Sequence, residues 1–191
     1  MEDSIEIKII QTRLVEKMHQ YQRKHDIKGQ CLANTQYLYD SVNASFPRIQ
    51  PKALAVIVHK NILFKECGII DGKLHIEIKD RLIIHMVLQI GDNKIIDPSA
   101  EIADLVDAQY IGFDIPKLLK KLRNDGMSES DIKFALKQYL LFKSYAERIN
   151  SGELIICDKS YYLKQNDYIQ SLNPDKHRWH TYGTNPLPKL P

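Results

Sequence analysis

The sequence predicts an α+β fold in which N-terminal helices pack on an antiparallel sheet and further helices follow. Three observations carry this reading. Residues 4–25 and 31–43 place apolar side chains at helical spacing. Residues 53–96 switch to strand-like runs separated by short turns, and helical spacing returns from residue 115. Elements of one kind are grouped rather than alternating, which argues against a parallel βαβ sheet. At 191 residues, with 43% hydrophobic and 27% charged, the chain can bury one substantial core. No repeat or linker divides it, so residues 1–172 are read as a single domain. Residues 173–191, with Pro174, Pro186, Pro188 and Pro191, are read as an extended tail.

The elements follow in order. Ile5, Ile9, Ile10, Leu14 and Met18 make one stripe of a first helix. Gly29 reverses the chain, and a second helix opens at Cys31 with Leu32, Thr35, Leu38, Tyr39 and Val42 on its apolar face. Phe46-Pro47 ends it, because a residue before proline is pushed out of the helical region. Strands are expected at 53–58, 62–65, 74–78, 82–90 and 94–96, with turns at Asp71-Gly72 and Gly91-Asp92-Asn93. The run from Leu82 to Ile90 is nearly all apolar and reads as a central strand. Helices are expected over 115–123 and 128–148, the second capped by Ser128 with Glu129 and Asp131 in its first turn. A last hairpin is expected from 154–156 and 161–163.

Composition narrows the function. Lys and Arg exceed Asp and Glu by only 27 − 24 = 3, and the one basic cluster, Lys117 to Arg123, reads as a solvated helix face. No nucleic-acid partner is expected. No apolar run reaches the roughly 18 residues that span a bilayer, so no membrane partner is expected either. Cys31, Cys67 and Cys157 are an odd count with no CxxC pair, which points away from a disulfide framework and toward the reducing cytoplasm. The acidic start, with no apolar stretch behind it, is not a secretory signal.

Three residues stand out together. A cysteine that opens a helix, as Cys31 does, faces N–H groups with no partner in the helix and the positive end of its dipole, which favours the reactive anion. His85 lies inside an apolar strand and shares a face with Val87 and Gln89, so its ring needs a buried partner. Asp97 follows one hairpin later, where the turn at 91–93 brings it back beside His85. There its carboxylate would accept Nδ1–H and fix the imidazole. Each residue has an ordinary use: a small core thiol, a satisfied core histidine, a turn aspartate before proline. Jointly they follow the logic of nucleophile, base and orienting acid.

The blocks Gly29-Gln30-Cys31-Leu-Ala-Asn-Thr-Gln-Tyr-Leu and His85-Met-Val-Leu-Gln-Ile-Gly-Asp-Asn-Lys-Ile-Ile-Asp97-Pro98-Ser99 resemble the transglutaminase-like superfamily of papain-like cysteine enzymes. The resemblance spans about residues 28–100. It lacks the aromatic residue that the family commonly carries soon after the histidine, and residues beyond Ser99 match nothing in the pattern. It implies a papain-like domain with Cys31 as nucleophile, His85 as general base and Asp97 as orienting carboxylate. It also implies a hydrolase, such as a thiol protease or deamidase, or an acyl transferase, acting on an amide of a peptide or protein. The chemistry requires no cofactor. Gln30 is a candidate oxyanion-hole donor beside the backbone N–H of Cys31. The alternative is an inactive papain-like module that binds a protein or glycan partner. Transfer to a small amine, as in arylamine acetyltransferases, is a third reading without supporting sequence around the triad.

Other residues compete for these roles. His59 and His75 also lie in strand-like segments, but no Asp-Pro strand end follows either. Cys67 and Cys157 read as structural. His177 and His180 have an HxxH look without the tighter ligand pairing that zinc usually shows, so no metal is expected. Tyr161, Tyr162, Tyr168, Trp179 and Tyr182 could line a groove, but covering the core is the more ordinary use.

Overall fold

The computed structural model describes residues 2–59, 77–78, 82–91, 94–103, 109–111, 115–124, 126–153 and 159–172. Its architecture is α+β. The first rod consists of α1 (Glu2–Ile9), a π-helical stretch (Ile10–Val15) and α2 (Glu16–Lys24), joined through helical backbone at Ile9 and Val15. The wider π turn interrupts the single α-helical stripe that the spacing predicts, yet Ile10, Leu14 and Met18 still fall on the buried side. Helix α3 (Cys31–Ser45) follows after Gly29, whose φ of +71° is the left-handed conformation the reversal requires. Residues Cys31 to Leu38 are all buried, so the front of this helix is enclosed on every side rather than along one stripe.

The sheet has β1 (Lys52–His59), β2 (Glu77–Ile78), β3 (Leu82–Ile90), β4 (Lys94–Ile96) and β5 (Gln109–Ile111). All pairings are antiparallel: β3 lies beside β1 on one edge and beside β2 and β4 on the other, and β5 adds to β1. The expected strands at 62–65 and most of 74–78 lie outside the described residues. β5 is a strand that the apolar pattern does not announce, since it is short and contains Gln109 and Tyr110.

β3 works as a two-faced central strand. Ile84 and Met86 join Ala53, Ala55 and Ile57 of β1 under the long helix α6 (Glu129–Asn150). Leu88 and Ile90 meet Leu14, Leu38 and Val42 of the N-terminal helices. Ile83 and Val87 face the other way, with Val56, Val58 and Ile102. Burying each of the large aliphatic chains contributes about 1.5–3 kcal/mol. Alanines at 53 and 55 let α6 approach closely, and the Asn150 amide clamps the edge of β1 by donating to Ala53 O at 3.0 Å and accepting from Ala53 N–H at 2.8 Å. Ser128 caps α6 as its sequence indicates, its hydroxyl accepting from Asp131 N–H at 3.2 Å. The short helix α4 (Ala100–Ala103) falls between β4 and β5 in the chain, and α5 (Ile115–Asn124) falls between β5 and α6.

One expectation is overturned. Residues 161–163 are not half of a hairpin but part of helix α7 (Lys159–Ser171). Tyr161, Tyr162, Gln165 and Ile169 are its buried positions, at offsets of 0, 1, 4 and 8, which is helical spacing. The aromatic pair at its start reads like a strand in a short window, and the periodicity emerges only over three turns. The other half of that hairpin, 154–156, and the tail from 173 lie outside the described residues.

Candidate active site

Cys31 is the first residue of α3 and is 0% exposed. The first helical hydrogen bond, from Asn34 N–H to Gln30 O at 2.8 Å, leaves the N–H groups of Cys31, Leu32 and Ala33 without a partner inside the helix. Gly29 N–H donates to Glu101 Oε1 at 3.0 Å, which fixes the approach to the helix from α4. Gln30 is the N-cap residue, half-buried, and its side chain makes no capping hydrogen bond.

His85 sits in the middle of β3, opposite Val56 of β1. The β3–β4 hairpin turns at Gly91, with φ of +57°, and aligns Leu88 with Ile96. Continuing that register by one residue sets Asp97 beside Val87, on the same face as His85 and one diagonal step away. His85 Nε2 lies 2.9 Å from both Oδ1 and Oδ2 of Asp97. The side chains are 0% and 4% exposed. The contact is therefore to Nε2, not to Nδ1 as the sequence reading expects. The carboxylate approaches from beyond the end of β4, and the ring turns its far nitrogen toward it.

That rotation leaves Nδ1 without a bond to the carboxylate. Nδ1 is buried and makes no hydrogen bond of standard geometry, while Cys31 acts on the same ring through hydrogen-bonding and charge interactions. Burial opposes a charged ring, but the charge and hydrogen bond of Asp97, aided by Cys31, more than offset it. His85 is pushed up to about 10. The charged ring is thereby favoured, with Nε2–H directed to the Asp97 carboxylate.

The turn after β4 is built around this pair. Asp97 Oδ1 accepts Ser99 N–H at 2.8 Å, and His19 of α2 donates from Nε2 to Asp97 O at 3.0 Å. Gln22, also on α2, donates to Pro98 O at 2.9 Å and accepts Ala100 N–H at 2.7 Å. His19, Gln22 and Asn34 make contacts that the sequence does not flag, because isolated polar side chains on helices carry no motif.

The backbone places His59 at the end of β1, opposite Leu82 and three register steps from His85. Tyr161 and Tyr162 are core residues, 6% and 4% exposed, in keeping with aromatics that cover the core. His75, Cys67, Cys157, His177, Trp179, His180 and Tyr182 lie outside the described residues. Among the described residues no cluster of His, Cys, Asp or Glu could hold a metal ion, and no helix is long and apolar enough to cross a membrane. Comparison with known proteins brings up no matching family, no curated relative and no solved structure.

Proposed function

We propose that the chain is a papain-like, transglutaminase-like cysteine enzyme that acts on an amide bond of a peptide or protein in the cytoplasm. The observation that carries this reading is the division of the His85 ring. Asp97 occupies Nε2 at 2.9 Å, Nδ1 is buried, and the helix-opening Cys31 acts on the same ring. An aspartate on one nitrogen stabilises the imidazolium and orients the other nitrogen toward a nucleophile.

In the first step Cys31 Sγ, as thiolate, adds to the amide carbonyl carbon. The His85 proton at Nδ1 passes to the departing amine, the C–N bond breaks and a thioester forms. Water or an amine then attacks the thioester, giving up its proton to Nδ1 and expelling the thiolate. Water makes the enzyme a peptidase or deamidase, and an amine makes it a transglutaminase. The Cys31 N–H, free of helical bonding, is one oxyanion donor, and the half-buried Gln30 beside it can supply the second.

The complete burial of Cys31 and His85 favours a second reading, an inactive papain-like module that binds a protein or glycan partner. Alkylation decides between them. Each cysteine is assigned by mass spectrometry across pH, in the wild type and in His85→Ala. Rapid reaction of Cys31 below pH 7 that disappears without His85 supports the enzyme. A Cys31 that reacts only near the pH of an ordinary thiol, about 8.5, or not at all, leaves the binding module.

A further inference from the structure

The turn that carries Asp97 is held from two helices by a set of buried polar side chains, in which Gln165 Nε2 alone makes no hydrogen bond. Gln22 spends both ends of its amide on Pro98 and Ala100, bracketing Ser99. Asn34, three residues past Cys31 on α3, donates from Nδ2 to Ser99 Oγ at 3.1 Å. Ser99 N–H donates to the Asp97 carboxylate, which holds His85. Behind them Tyr161 of α7 donates its hydroxyl to Asn34 Oδ1, and its oxygen lies 2.7 Å from Gln165 Oε1. Gln165 Oε1 also accepts from Gln22 Nε2, at 3.3 Å. Gln22 and Asn34 are each 2% exposed, Ser99 1% and Gln165 0%.

Such a cluster is a demanding way to fill a core. Each buried amide must find partners for its donors and acceptor or lose stability, and apolar side chains of similar volume would pack there without that demand. Its direction is informative: both Gln22 and Asn34 deliver their bonds to residues 98–100, immediately behind Asp97. Both hydrogens of the Gln22 amide point at oxygens of the fold, Pro98 O and Gln165 Oε1, so Gln22 is not a donor to substrate.

We propose that Gln22 and Asn34 are positioning residues that fix the Asp97 carboxylate against His85. Asn34 couples this support to the helix that begins with Cys31, so that nucleophile and acid are located from one scaffold. The inference rests, for its catalytic meaning, on the enzymatic reading above. Its structural content is tested without any substrate.

The experiment compares the wild type with Gln22→Ala, Asn34→Ala and Tyr161→Phe. Gln36→Ala serves as control, since Gln36 is another buried amide on α3 but reaches Glu153 O instead. Three quantities are read: the His85 titration by NMR, assigned by its loss in His85→Ala; the alkylation rate of Cys31 at pH 6; and the thermal midpoint. Gln22→Ala and Asn34→Ala should lower the His85 titration midpoint by about one unit or more. They should slow Cys31 alkylation roughly tenfold or more. Gln36→Ala should lower only the thermal midpoint. If the alanine variants do not fold, Tyr161→Phe removes a single oxygen and should shift the titration in the same direction by a smaller amount. A His85 titration that stays in place in all folded variants, with only the thermal midpoint falling, overturns the proposal. A wild-type Cys31 whose alkylation ignores His85 defeats the enzymatic reading instead, and the titration still decides the positioning.

Discussion

The Nε2 atom of His85 is 2.9 Å from both carboxylate oxygens of Asp97, in a site where neither side chain meets bulk water. Burial alone would drive the ring to its neutral form, so the carboxylate is what keeps the proton on it. In Asp97→Asn a neutral amide oxygen can still accept Nε2–H, but the compensating charge is gone. We expect the His85 titration to fall by several units, to or below the ordinary histidine value near 6.5. Reaction at Cys31 should slow by about 10²–10⁴-fold. NMR titration of the ring and alkylation at fixed pH check the two effects separately.

The same pair sets a pH dependence of stability. His85 titrates near 10 in the folded chain, above its unfolded value of about 6.5. The folded state therefore binds its proton more tightly between those two values. The stabilisation is fully present below about pH 6.5 and is lost as pH rises toward about 10. Thermal melts of the wild type should show a falling midpoint through that window, and Asp97→Asn should show a much flatter curve. Equal slopes in the two proteins would refute the assignment.

Asp40 contributes with the same sign but a lower window. Burial raises its carboxyl to about 6, against the lowering effect of the hydrogen bond it accepts from Tyr162 at 2.9 Å. Its ionised form is thus a cost to the fold at neutral pH. The protonated form adds stability below about pH 4, and this is lost as pH rises through 6. Asp40→Asn keeps an oxygen for Tyr162 and removes the charge. It should stabilise the protein at pH 7 by on the order of 2 kcal/mol and give no gain at pH 4. Urea unfolding at the two pH values measures the difference.

Much of this site is legible in the sequence because local rules determine it. Gly29 has to break the chain before Cys31, and the short hairpin at Gly91 has to return Asp97 to the face of His85. Which ring nitrogen meets the carboxylate depends on the direction of approach from beyond β4, and no residue pattern encodes that direction. Gln22, Asn34 and Gln165 are equally silent, because a polar residue on a helix reads as exposed until the neighbouring elements close over it. Helix α7 was hidden for another reason. Tyr161 and Tyr162 have strong strand preference over three residues, and packing against α2 and α3 decides the outcome over thirteen.

Helix α6 offers a test of what holds the scaffold around the site. Phe142 is 1% exposed and belongs to the same apolar cluster as Cys31, Ala55, Ile84 and Met86. Phe134, two turns earlier on the same helix, is 45% exposed. Truncating Phe142 to alanine removes its transfer energy and leaves a cavity beneath the sheet, which costs about 3–5 kcal/mol. Truncating Phe134 leaves no cavity and should change stability by less than about 0.5 kcal/mol. The small side chains of Ala53 and Ala55 cannot expand to fill the gap under Phe142, so the cost should lie toward the upper end of its range. Denaturant unfolding of both variants, with unchanged slopes, gives the comparison. Near-equal losses would mean that α6 is not seated on the sheet through this face.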